Sequence, residues 1–244
     1  MSLTVEKVSL AFQEAGLSSF FTPPSLESLL RFTQRMLEIN ENLNLTRWTG
    51  DEAVLNQHFL DSARVLPLLK DLGLPNGPDR WMDLGTGCGF PGAILLAAFP
   101  QVEVTLFDSV AKKTKALGEC LEAAGWKGPT LTGRAEEIGR DPRYREGWDL
   151  VTARAVADFP VVLEYALPLL KTGGYLVDWM TEDQAASVDK ASRALELLSA
   201  KIVQKAGYSL PGLTQKRWLV VVEKLGKTPE TYPRPVGLPS KKPL

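Results

Sequence analysis

Apolar residues recur at helical spacing in the first third of the chain and in short, separated strand-like runs from residue 80 onwards. Behind Pro23-Pro24, with Ser25 as the N-cap, Leu26, Leu29, Leu30, Thr33, Met36 and Leu37 share one face and predict an amphipathic helix ending at Asn40–Asn44. A shorter helix over Glu52–Leu60 leads to a Gly- and Pro-rich turn at 73–78, so residues 1–78 read as a helical cap. From Arg80 the pattern alternates. Strands are expected at 80–84, 103–107, 128–132, 148–153 and 173–180, and helices at 89–99, 110–124, 158–167 and 183–203. Thr181 and Gln184 form a capping box for the last helix, with Val188, Ala191, Leu195 and Leu198 as its buried stripe. A buried strand follows at Arg217–Glu223, after which Pro233, Pro235, Pro239 and Pro243 interrupt regular structure. The expectation is an α/β fold, a Rossmann-like sheet over residues 79–244 carrying an N-terminal helical extension.

Composition narrows the class. With 244 residues, 44% of them hydrophobic, the chain has material for one substantial core. No run approaches the roughly twenty apolar residues of a membrane span, and no signal-peptide layout opens the chain, so a cytoplasmic protein is expected. Two cysteines, Cys88 and Cys120, and one histidine supply neither a disulfide framework nor a zinc site. Net charge is −1 but uneven: residues 205–244 hold eight Lys and Arg against two Glu, which leaves +6 there and −7 elsewhere. Such a tail suits a polyanion, and equally a strand edge kept soluble by lysines.

Chemistry concentrates in Asp83-Leu-Gly-Thr-Gly-Cys-Gly-Phe-Pro-Gly92, where a strand closes on glycines at 85, 87, 89 and 92. Such turns let backbone approach a ligand. Asp83, two positions before Gly85, offers a partner to an amino acid's ammonium group and would repel a pyrophosphate, which favours S-adenosylmethionine over a dinucleotide. Asp108, ending the next strand, is placed to accept hydrogen bonds from two ribose hydroxyls; the alternative is an N-cap for the following helix. After the third strand, the Ala135 amide and the Glu136 side chain fall where an adenine edge is read, or simply start a helix. Arg154, closing the fourth strand, can hold a phosphate or carboxylate in the crevice, or make a surface ion pair. Cys88 reads as small-residue packing rather than a nucleophile, and His58 as a core-edge histidine rather than a catalyst.

Taken in order, Asn42-Leu-Asn-Leu-Thr46, His58-Phe-Leu-Asp-Ser62, the Asp83–Gly92 run, Asp108-Ser109, Gly133-Arg-Ala-Glu-Glu137, Thr152-Ala-Arg-Ala155, Leu167–Lys171, Tyr232-Pro-Arg and Pro239–Leu244 resemble the RsmG (GidB) family. Its members are bacterial 16S ribosomal RNA guanine-N7 methyltransferases. The resemblance implies a class I S-adenosylmethionine-dependent methyltransferase sheet and cofactor contact by Gly85, Phe90, Asp108, Ser109, Ala135, Glu136 and Arg154. The last of these would position rather than act as a base. One departure stands out: after Gly173-Gly174 the family reaches a Lys-Gly pair, and here Met180 stands near the lysine's place. The implied partner is 16S rRNA or the small ribosomal subunit, bound by a monomer without metal or membrane. Arg140, Arg143, Arg145, Lys112, Lys113 and the basic tail are candidate phosphate contacts, although the arginines could instead pair with nearby acids. A nicotinamide-dependent oxidoreductase, or an S-adenosylmethionine-binding RNA-interacting protein without transfer activity, are the alternatives.

Overall fold

A computed structural model describes residues 2–244. The strands are β1 Arg80–Leu84, β2 Glu103–Asp108, β3 Thr130–Thr132, β4 Trp148–Arg154, β5 Leu170–Thr181, β6 Ala200–Tyr208 and β7 Arg217–Lys224. They run in the order β3-β2-β1-β4-β5-β7-β6 in one mixed sheet. Contacts gather the chain into two units: Met1–Asp79 with Thr86–Thr132, and Arg80–Gly85 with Gly133–Leu244.

In the first unit, β2 and β3 pair in parallel, and helices Val5–Glu14, Pro23–Leu43, Gly92–Ala98 and Ala111–Ala124 supply most of the packing surface. The long helix starts three residues before the expected point. Thr22, not Ser25, is its N-cap, and Ser25 is the third residue of a complete capping box, each side chain accepting from the other's backbone N–H. Pro23 at the first position costs nothing because that N–H has no helical partner. Leu26, Leu29, Phe32, Thr33 and Met36 are buried, while Leu30 and Leu37 are half-buried at the stripe's margin. Asn44 closes the helix in the left-handed region at φ 50°, a conformation asparagine tolerates better than most residues. The helix expected from residue 89 begins only at Gly92, since φ of +97° at Gly89 has no place in a right-handed helix.

In the second unit, β1, β4 and β5 are parallel, and β7 runs antiparallel between β5 and β6. The expected helix 183–203 is not continuous. The Thr181–Gln184 capping box forms and Val188, Ala191 and Leu198 are buried, but the run breaks into Glu182–Ala186, a 3-10 turn Val188–Ala191, and Ser192–Leu197. Ser199 then turns at φ 54° and the chain becomes edge strand β6. That strand escapes a hydrophobicity reading because most of its side chains are exposed and Lys201 and Lys205 line it, as suits an unpaired edge.

Beyond β7 the chain is irregular up to a short helix, Leu238–Lys241, yet it is firmly anchored by buried charge. The fully buried Glu164 carboxylate accepts from Arg234 at its backbone N (2.7 Å), Nε (2.9 Å) and Nη2 (2.6 Å). Lys224, also fully buried, donates to Leu170 O at 2.6 Å and Glu146 Oε1 at 3.0 Å. Two arginines considered for RNA phosphate hold this segment instead. Arg145 donates to the carbonyls of Thr228 (2.6 Å) and Tyr232 (2.9 Å), and Arg140 to that of Pro233 (2.6 Å). Arg143 pairs with Asp141 at 2.6 Å. Among the described residues no helix is long and apolar enough to cross a membrane.

Removing the guanidinium would strand a buried carboxylate, so Arg234→Ala is expected to cost about 3–5 kcal/mol in urea unfolding. Arg234→Lys restores the charge without the fork and should recover less than half of the loss.

Candidate active site

The glycine turn and the acid after β2 belong to one hydrogen-bonded assembly in the first unit. Gly87, at φ 60°, donates its N–H to Asp108 Oδ2 at 3.1 Å, and Val110 N–H donates to Oδ1 at 2.9 Å. Asp108 is therefore not the N-cap of helix Ala111–Ala124, a position held by Val110; it forms a side-chain turn two residues earlier. A carboxylate offers about four acceptor sites and two are used, so capacity remains for a diol. Lys113 Nζ lies 3.9 Å from Oδ2, and Ser109 beside it is exposed.

Below this turn is an aromatic cluster. The Phe90 ring is buried, stacked on His58 at 4.9 Å and 18°, and edge-on to Phe32 at 5.9 Å. His58 sits in a π-helix, Val54–Leu60, with Nε2 3.0 Å from Thr46 Oγ1. Asn40 Oδ1 accepts from Thr46 N–H at 2.8 Å and fixes that hydroxyl's position. Half-buried Thr46 and buried His58, from two separate sequence signatures, thus meet in one support. Asp61 and Ser62 are buried in the turn that follows. Gly89 leaves no room for a side chain: a Cβ there would lie 2.5 Å from Phe32 Cζ. Both cysteines are buried thiols, and burial pushes the Cys120 pKa up to about 12, which removes it as a nucleophile.

The second unit holds the remaining candidates. Asp83 on β1 is buried opposite Thr152 on β4, whose hydroxyl donates to Oδ1 at 3.0 Å. Gly85 turns at φ 68°, and a Cβ on it would strike Val156 Cγ2 at 2.8 Å. Arg154 ends β4 half-exposed, followed by Ala155 at φ 57°. Ala135 begins the short helix Ala135–Ile138. Glu136 next to it is 1% exposed; its Oε1 accepts from Gly237 N–H (2.9 Å) and Tyr165 OH (3.3 Å), while Oε2 has no hydrogen-bond partner. Burial raises the Glu136 pKa, but the Gly237 and Glu136 amides and the Arg134 guanidinium outweigh it and leave the carboxyl below its ordinary range.

Thr152, Tyr165 and Gly237 were not anticipated. Thr152 had a visible signal, its place in Thr-Ala-Arg-Ala; Tyr165 and Gly237 had none, because their roles depend on how the tail docks. Among the described residues no group of three or more His, Cys, Asp or Glu could hold a metal ion.

The family model for rRNA small subunit methyltransferase G matches residues 25–211. The chain belongs to this family. Ribosomal RNA small subunit methyltransferase G of Acetivibrio thermocellus is 40% identical over 220 residues, covering 90% of this chain and 88% of that protein. The protein of the same name from Streptococcus equi subsp. zooepidemicus is 36% identical over 243 residues, 99% of this chain and 100% of that one. Solved structures similar in fold include an S-adenosylmethionine-dependent methyltransferase from Clostridium acetobutylicum, with TM-score 0.52 and 11% identity over 68% of this chain and 91% of that one. A putative sarcosine dimethylglycine methyltransferase from Galdieria sulphuraria gives TM-score 0.53 and 12% identity over 68% and 86%. The fold is that of class I S-adenosylmethionine-dependent methyltransferases, and S-adenosylmethionine is the cofactor.

Gly89→Ala combines left-handed strain with a clash against Phe32 and is expected to cost about 2–4 kcal/mol, measured by thermal unfolding. Adding Phe32→Leu should return part of that.

Proposed function

We propose that this methyltransferase modifies N7 of a guanine in 16S rRNA, acting in the cytoplasm as a monomer. What carries the reading is family membership over most of the chain, joined to an Asp108 carboxylate that has two acceptor sites left after organising its own turn.

The residues fit the cofactor. Gly85 and Gly87 occupy positive φ, and a side chain at Gly85 would collide with Val156, so main chain is bare there. In our reading Asp83, held by Thr152, receives the amino-acid ammonium; Gly85, Gly87 and Gly89 shape the cradle; Asp108 with Ser109 takes the ribose. The Ala135 amide and the unpartnered Glu136 Oε2 meet the adenine edge, a donor-bearing group that the buried oxygen lacks in the protein alone. Phe90 contributes by holding the turn from beneath. Arg154 positions an anionic group, either the cofactor carboxylate or an RNA phosphate.

When bound, S-adenosylmethionine supplies an electrophilic methyl group. Guanine N7 has an in-plane lone pair and no proton, so the protein need not furnish a general base. Its task is alignment, which can supply on the order of 7–11 kcal/mol. Two buried cysteine thiols, and a histidine engaged with Thr46 and Phe90, agree with chemistry that needs no protein nucleophile.

The test uses unmethylated small-subunit rRNA, tritiated S-adenosylmethionine and borohydride-aniline cleavage. One N7-methylguanine break is expected, and label without such a break would refute the N7 assignment. Asp108→Ala should weaken cofactor binding by about 1.5–3 kcal/mol in calorimetry; an unchanged dissociation constant counts against the ribose role. Arg154→Ala should lose turnover while keeping the wild-type melting temperature, and full methylation by it removes Arg154 from the site.

A further inference from the structure

Past the end of β4 the second unit opens a cavity of about 440 Å³, room for a purine nucleoside. Its lining side chains are alanine and valine apart from Asp158, Gln184 and Ser240. Ser240 lies on the short helix Leu238–Lys241, in a tail that is anchored on either side of it. Gly237 N–H donates to Glu136 Oε1 at 2.9 Å, and Arg234 Nη2 donates to Lys242 O at 2.8 Å. A hydroxyl between two such anchors has little backbone entropy left to lose on meeting a ligand.

The bonds behind Ser240 also fix the sense of its hydroxyl. Glu136 Oε1 accepts from Tyr165 OH at 3.3 Å, and Tyr165 OH lies 2.9 Å from Ser240 Oγ. Against burial, the Gly237 and Glu136 amides and Arg134 keep Glu136 ionised, so it can only accept. Burial raises the Tyr165 pKa, so its phenol keeps its one proton and gives it to Glu136. Ser240 must then donate its own proton to Tyr165, and only lone pairs remain for the cavity. Gln184 is the opposite case: its Oε1 accepts from Thr181 N–H at 3.0 Å in the capping box, which leaves the amide NH₂ to donate. Asp158 is exposed and heads helix Phe159–Ala166 without a side-chain cap bond, a second acceptor. Two acceptors and one donor suit guanine, which donates at N1–H and the N2 amine and accepts at O6.

We infer that Ser240 binds the acceptor guanine, taking a hydrogen bond from its N2 amine, with Tyr165 the positioning residue that holds the serine lone pairs toward the base. The inference rests on the function proposed above and adds to it a residue that recognises the base. The N2 amine lies across the purine from N7, so this bond leaves the N7 lone pair free. Methylation at N7 withdraws electron density from the ring and makes the amine a stronger donor, so the contact strengthens as the methyl group arrives. Adenine carries only C2–H at that position and would leave the Ser240 lone pair without a partner.

The test measures tritium transfer to small-subunit rRNA, either natural or ligated to carry inosine at the nucleotide that the wild type methylates. Inosine lacks only the N2 amine. Wild-type kcat/KM should be about five- to tenfold lower on the inosine RNA, the scale of one hydrogen bond. Ser240→Ala should fall by the same factor on natural RNA and act equally on both RNAs, because each change removes the same bond. Ser240 is exposed and Glu136 keeps both of its donors, so that variant should retain the melting temperature and the cofactor dissociation constant. Ser240→Thr restores the hydroxyl and should recover the discrimination. Tyr165→Phe frees the serine hydroxyl to turn, and should lose most of the discrimination while Ser240 is still present. A wild type that acts on both RNAs within about twofold overturns the inference, as does a Ser240→Ala protein that still discriminates. A wild type that methylates no rRNA sinks the proposed function and this inference together, whereas an active wild type indifferent to inosine sinks this one alone.

Discussion

Asp108 accepts one main-chain hydrogen bond at each of its oxygens, and that arrangement governs what the first unit can do. The Gly87 amide is drawn to a side chain twenty-one positions later, so the turn's left-handed glycines and the end of β2 form a single object. A carboxylate free to rotate would lose side-chain entropy on meeting a diol; one already oriented by two amides loses less. The support beneath is made in the same way, with Thr46, His58, Phe90 and Phe32 packed so that the turn cannot settle downward.

The second unit relies on buried charge. Glu164–Arg234 and Lys224–Glu146 place ionised groups where an all-apolar core would be easier to desolvate. What the pairs contribute is register. The segment after β7 has little regular structure, and without directional bonds it could lie along the sheet in several ways. Arg140 and Arg145 reinforce this by donating to its carbonyls. Charge that looked in the sequence like a reserve for RNA is thus partly internal, while Lys216, Lys227, Lys241 and Lys242 are exposed.

Much of this was legible beforehand, for physical reasons. Alternating apolar runs located the central strands, because buried parallel strands have little freedom in composition. Positive-φ glycines and strand-end acids located the turn and Asp108. Edge strand β6 was missed because an edge need not alternate, and its Leu-rich approach read as more helix. Ser25 was one position of a capping box mistaken for another, a distinction that depends on which hydroxyl faces which amide. The partners of Glu136 could not be read at all, since Gly237 lies about a hundred residues away and is brought there only by the docked tail.

Ala155 turns the chain sharply after β4 with a left-handed backbone that a glycine would adopt without strain. Alanine there costs about 1–2 kcal/mol in the native chain, offset by about 0.4–1 kcal/mol through a less disordered unfolded state. The net thermodynamic difference is therefore small, and the effect that survives is stiffness. Val156, the next residue, lies 2.8 Å from where a Cβ on Gly85 would sit, so the conformation of this corner sets the clearance above the glycine.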